Sequence, residues 1–128
     1  YYCHNSEELL LNDTHSLIEN MSCTKCHDAH GDENKFYLKN GSCKECHDDY
    51  ENTFSSLHGP VESGLCFSCH EMHNSEKEFK LLLTGRELCF QCHEEERILN
   101  TETHKEIEDF DCNECHHPHG GEDRFILR

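Results

Sequence analysis

HGPVESGLCFSCHEMHNSEKEFKLLLTGRELCFQCH, residues 58–93, contains one five-letter word twice: CFSCH at 66–70 and CFQCH at 89–93. The word is two cysteines separated by two residues and followed at once by histidine. It recurs as CTKCH (23–27), CKECH (43–47) and CNECH (112–116). Working outward from the histidine upstream of each odd-numbered word gives three aligned stretches. HSLIENMSCTKCHDAH begins at His15, HGPVESGLCFSCHEMH at His58 and HKEIEDFDCNECHHPH at His104. All three read H-x7-C-x-x-C-H-x-x-H without a gap, and their first cysteines, Cys23, Cys66 and Cys112, are 43 and 46 positions apart. A fixed period of this size marks a repeat architecture.

The repeat divides a single domain, residues 1–128, into a partial unit (1–14), unit 1 (15–57), unit 2 (58–103) and a partial unit 3 (104–128). The opening YYCH fits the same register. His4 precedes His15 by eleven positions, as His47 precedes His58 and His93 precedes His104. It reads as a second-type word whose first cysteine would fall just before residue 1. The word due after Cys112 would begin beyond Arg128. The expectation is an excerpt of a longer array, or a subunit whose end is completed by a neighbour.

Composition says why such a chain needs help to fold. Only 34% of its residues are hydrophobic, it has no Trp, and its mean hydropathy is −0.90. So polar a chain cannot bury enough apolar surface to offset the entropy of ordering. Eleven Cys and thirteen His suggest that a metal or metallated cofactor supplies the core. A formal net charge of −16 excludes a nucleic-acid partner, because phosphate binding needs a basic surface. No apolar run is long enough to span a bilayer. The secondary structure is expected to be mostly irregular, with short α-helices near 5–12, 47–54 and 93–100 and no significant β-sheet. The His-Gly pairs at 30–31, 58–59 and 119–120 are read as tight turns that aim a histidine.

C-x-x-C-H is the attachment word for c-type haem. Two thiols three apart bond the two vinyl-derived carbons on one edge of the porphyrin, and the following imidazole reaches the iron. The competing reading is zinc: Cys23 to Cys46 and Cys66 to Cys92 both have zinc-ribbon spacing. Zinc gives no reason for a histidine after every second cysteine, and it strands Cys112 and Cys115. A disulfide framework likewise leaves the histidines without a role.

The haem reading assigns thioether bonds to Cys23, Cys26, Cys43, Cys46, Cys66, Cys69, Cys89, Cys92, Cys112 and Cys115, with Cys3 as a single-thioether candidate. The proximal iron ligands are then His27, His47, His70, His93 and His116, with His4 added if its word is genuine. The repeat supplies six further histidines as distal ligands: His15, His30, His58, His73, His104 and His119. Only His117 is left over, and it is read as a surface or supporting residue. The inventory fits haem c with two histidines on every iron, five haems by complete words and a sixth at Cys3/His4. Residues three apart lie on one side of a porphyrin disc. His70 and His73, and their counterparts, should therefore serve two different irons, which draws neighbouring haems together.

These words resemble the paired-CxxCH (doubled CxxCH) multihaem cytochromes c, and residues 58–93 are close to that family's whole repeat. The resemblance implies a haem-cored repeat array in a periplasmic electron conduit or an extracellular filament, hence an exported protein. Its partners would be other redox proteins or copies of itself, in a head-to-tail polymer or a longer array. The function expected is electron transfer along closely spaced bis-histidine haems, without catalysis. The alternative is a multihaem reductase of nitrite, hydroxylamine or a sulfur oxyanion, which requires one haem with an open face.

Overall fold

A computed structural model describes residues 22–128 except 32, 34, 40, 48, 49, 74 and 108. The helix expected at 5–12 and the sites at Cys3, His4 and His15 lie outside the described residues. Within them the regular elements are short. The helices are α1 (Tyr50–Thr53), α2 (Gly59–Glu62), α3 (Arg86–Cys89), α4 (Glu95–Leu99) and α5 (Cys112–Cys115), joined by single 3-10 turns and loops. Helices α1 and α4 fall inside the windows expected at 47–54 and 93–100, but are shorter. Glu95 and Glu96 open α4, where the helix dipole favours acids. A Glu114 carboxylate accepts the Asp111 backbone N–H at 2.9 Å and caps α5.

Two residues per strand make the one small sheet among the described residues. Strand β1 (Ser56–Leu57) pairs antiparallel with β2 (Gly120–Gly121), Ser56 opposite Gly121 and Leu57 opposite Gly120. The contact is so close that a Cβ on Gly120 would lie 2.6 Å from the Ser56 carbonyl oxygen and 2.8 Å from the Phe54 side chain. This ladder ties the end of unit 1 to partial unit 3. The His-Gly turns divide accordingly. Gly31 turns the chain at φ 109°. Gly59 instead opens helix α2, with Pro60 behind it pre-setting the helical φ, and Gly120 enters β2.

Among the described residues no hydrophobic side chain is buried, and Phe79, Phe36 and Phe125 are 73%, 64% and 56% exposed. The described residues form no apolar interior of their own. What orders them is a hydrogen-bonded module built three times. The proximal histidine of each first-type word bridges to a leucine eleven residues on: His27 to Leu38, His70 to Leu81, His116 to Leu127. The next N–H along from each leucine, on Lys39, Leu82 and Arg128, donates to the second cysteine's carbonyl (Cys26, Cys69, Cys115) at 2.8–2.9 Å. In return Asp28, Glu71 and His117 donate their backbone N–H to Tyr37, Lys80 and Ile126.

Candidate functional site

Each of the five complete words is one turn of chain closed by the same bond. The histidine backbone N–H donates to the first cysteine's carbonyl, at 2.9 Å for His27, 2.9 Å for His47, 3.0 Å for His70, 3.1 Å for His93 and 2.8 Å for His116. One helical turn puts residues i and i+3 on the same side, so both thiols of a word face one way and the imidazole follows them.

Consecutive words lie against each other in sequence order. Cys26 is pushed up by burial and then by Cys43 in the second word. A hydrogen bond from Cys43 to Cys66 joins the second word to the third. It holds Cys66 down at about 6 and pushes Cys43 up. Cys69 is raised by burial and by Cys92 of the fourth word. Burial, followed by the charge of Cys112 in the fifth word, pushes Cys89 up to about 11. The cysteine edges thus form a linear series, one to five.

The histidines are paired across that series. Ring centres of His27 and His73 are 5.9 Å apart at an interplanar angle of 20°, those of His58 and His93 6.0 Å at 15°, and those of His70 and His119 6.1 Å at 17°. His104 and His116 are 6.2 Å apart, tilted by 31°. Eight of the sequence-predicted ligands are therefore brought together in four pairs, each a first- or second-type proximal histidine with one upstream or third-position histidine. His70 and His73 fall in different pairs. His30 lies beside Thr24, His27, Asp28, Ala29 and Lys39 at a small surface cleft of about 200 Å³.

These spacings test whether the residues fit an iron porphyrin. An imidazole nitrogen binds a first-row metal at about 2.0–2.1 Å, and the ring centre lies about 1.2 Å beyond it, so two imidazoles facing one metal from opposite sides have centres about 6.3 Å apart. Four pairs at 5.9–6.2 Å match that span. Among the described residues no cluster of three or more His, Cys, Asp or Glu side chains converges on a bare metal ion. The zinc reading thus finds no tetrahedral site, whereas thiols on one edge and imidazoles on two faces suit haem c.

Hydrogen bonding also sets the tautomers. Nδ1 of His27, His70 and His116 lies 2.8, 2.8 and 2.7 Å from the carbonyl oxygens of Phe36, Phe79 and Phe125. A carbonyl can only accept, so Nδ1 carries the proton and Nε2 keeps its lone pair for a metal. His58 does the same against the Pro118 carbonyl at 3.0 Å. Thr101 gives its hydroxyl proton to the Ile98 carbonyl, so the His104 Nδ1, 2.9 Å from that hydroxyl, is again the donor. His117 is the reverse. Its Nδ1 accepts the backbone N–H of His119 at 3.3 Å, which leaves the proton on Nε2. The residue without a place in the ligand inventory is also the one held in the other tautomer.

Sequence reasoning missed the phenylalanines that fix these tautomers. Phe36 and Phe79 sit in the left-handed region at φ 62° and 56°, as do Tyr37 at 54° and Lys80 at 55°, while the third module places Ile126 there at 48°. That conformation costs a non-glycine residue roughly 1–2 kcal/mol, and here it turns the preceding carbonyl toward the histidine. The signal was present: KFYL (35–38), EFKL (78–81) and RFIL (124–127) each set Phe nine residues after the proximal histidine.

Residues 15–52 and 58–98 match the protein family described as "Doubled CXXCH motif". Comparison with curated proteins found no match. With the match covering more than half of the chain, with each complete word closed as one turn and with four of the five proximal histidines facing a second imidazole, the chain belongs to the doubled CXXCH motif family, that of multihaem c-type cytochromes.

Proposed function

We propose that this chain carries electrons along a row of haems c, each held by two thioethers and two histidines, and that it performs no chemistry on a substrate. The observation that carries the reading is the set of four imidazole pairs, two of which, His27 with His73 and His70 with His119, join separate repeats. His27 with His73, His93 with His58, His70 with His119 and His116 with His104 would hold four irons. His47 would hold the fifth, with His15 as its counterpart by analogy with His58 and His93, and His4 with Cys3 a sixth. Bound haem supplies a one-electron couple whose potential the protein tunes through its ligands and surroundings. The chain's own part is to saturate both faces of each iron, which excludes substrate, and to hold successive words in contact.

Haem c and the absence of any helix long and apolar enough to cross a membrane among the described residues support an exported setting, periplasmic or extracellular. The strongly acidic surface favours redox partners with basic faces, and a repeat whose ligand pairs cross from unit to unit favours polymeric or array-like continuation with its own copies. The test is intact mass together with absorbance and electron paramagnetic resonance of the purified protein. Five or six haem increments and wholly low-spin iron are expected. A high-spin fraction that binds carbon monoxide would favour the reductase reading, and a colourless product would overturn both.

A further inference from the structure

The residue directly after each first-type proximal histidine does the same job in all three repeats. Its side chain accepts the backbone N–H of the third histidine: Asp28 Oδ1 from His30 at 2.9 Å, Glu71 Oε1 from His73 at 2.9 Å, His117 Nδ1 from His119 at 3.3 Å. The position therefore fixes the histidine that faces the neighbouring site. What differs is charge. Glu71 Oε1 also stands 3.6 Å from His73 Nδ1, the ring nitrogen remote from a metal bound at Nε2. His117 offers a lone pair and no negative charge. Its surroundings are drier: the His119 ring packs 4.4 Å from Tyr50, and His117 packs 4.6 Å from Phe54. Arg128 adds positive charge near His117.

We propose that the residue after the proximal histidine is a tuning position for the adjacent haem. On this proposal the replacement of Glu71 by a neutral imidazole at His117 makes the His70/His119 site the preferred electron acceptor of the His27/His73 site. The inference rests on the proposed bis-histidine haem reading. A carboxylate charge 3.6 Å from Nδ1, too far for a hydrogen bond, favours the more positive, oxidised iron through space. His73 receives that push from Glu71, and His119 receives none. One electron shared between the two sites is lost by the iron of His27/His73 and gained by that of His70/His119. The two sites meet at the Cys69-His70-Glu71-Met72-His73 turn, which contributes one histidine to each.

The experiment is a potentiometric titration of the holoprotein with each haem followed separately by paramagnetic NMR. His73→Met and His119→Met serve as assignment markers, since methionine ligation raises the potential. Glu71→Gln keeps an oxygen to accept the His73 N–H but removes the charge. It should raise the potential of the His27/His73 haem alone, by at least a tenfold change in its equilibrium constant, about 59 mV for one electron. Glu71→Asp should restore the wild-type order. His117→Glu should lower the His70/His119 haem by a similar factor, and His117→Gln should not.

Equal shifts at every haem would reduce the effect to overall charge and overturn the proposal. So would an unmoved His27/His73 potential in Glu71→Gln, or a wild-type protein in which His70/His119 is the lower of the two. Failure of the haem reading itself would show earlier and separately, as missing haem mass or high-spin iron in the wild type.

Discussion

His27 and His73 belong to different repeats, yet their rings face each other with centres 5.9 Å apart and planes 20° from parallel. His70, three residues before His73, faces His119 of the following repeat in the same way at 6.1 Å. The Cys69–His73 turn is thus a two-ended connector whose histidines reach to opposite neighbours. In a chain with no buried hydrophobic side chain among its described residues, this connector and the Phe-carbonyl modules carry most of the long-range order. His104 and His116 depart from the pattern. Like His58 and His93 they lie on one repeat, but they meet at the widest tilt of the four, 31°.

The connector makes a counterintuitive mutational prediction. Replacing His73 by Ala should leave the haem on Cys66 and Cys69, the adjacent word, low-spin. The haem on Cys23 and Cys26, carried by the preceding repeat, should become five-coordinate. Resonance Raman or magnetic circular dichroism of the variant checks this, with one high-spin haem and one site for carbon monoxide expected. His119→Ala should do the same to the haem on Cys66 and Cys69.

Phe79→Pro tests the tautomer device. Proline fixes φ near −65°, and Phe79 needs φ 56°, so the carbonyl 2.8 Å from His70 Nδ1 must swing away. A cost of about 1–3 kcal/mol to the folded chain is expected. With the proton donor on His70 released, the potential of that haem should rise while haem content stays unchanged, as read by mass and redox titration.

Gly120→Ala should be damaging well beyond its size. The added methyl would meet the Ser56 carbonyl at 2.6 Å and Phe54 at 2.8 Å, both on the opposing segment. Overpacking of this kind costs typically about 1–3 kcal/mol, and the β1–β2 ladder would part. The ladder holds His58, through its N–H to the His119 carbonyl at 3.0 Å and its ring to Pro118. Two haems, those of His93 and His70, should then lose their low-spin signature together, together with a fall in melting temperature.

Acid should loosen the His70/His119 site. Burial, then the charges of His70, His117 and His58, lower His119 from 6.5 to about 4. The folded state therefore binds fewer protons than the unfolded chain between those values. The stability that His119 contributes is complete above pH about 6.5 and is lost as pH falls through about 4. Coordination by neutral imidazole acts in the same direction. An acid titration followed by the high-spin absorbance band should show no change down to about pH 6 and a reversible loss of this site at lower pH.

Much of this protein was legible as spacing. The five Cys-x-x-Cys-His words, the two kinds of further histidine and the 43- and 46-residue periods are local or periodic features. A covalent attachment word acts over five residues and needs no tertiary context. The same spacing required that His70 and His73 serve different sites, since neighbours on one turn cannot straddle one iron. Helices α1 and α4 were legible from their acids, whereas α2, α3 and α5 were not, because helices of four or five residues are stopped by the next turn and carry little propensity of their own.

Which histidine meets which was a matter of tertiary structure. His73 could have turned toward any earlier word; with Cys26 beside Cys43 and Cys43 against Cys66, it faces His27. The Gly120 contact with Ser56 and the bond from His58 Nδ1 to the Pro118 carbonyl likewise join segments far apart in sequence, whereas the left-handed Phe36 and Phe79 and the reversed tautomer of His117 are set within two to nine residues. The sequence alone marked the attachment words for haem c and how many imidazoles are at hand, because each word is written within a single turn. The tertiary structure decided which histidines pair and which carbonyl fixes His58, because those partners lie in other segments.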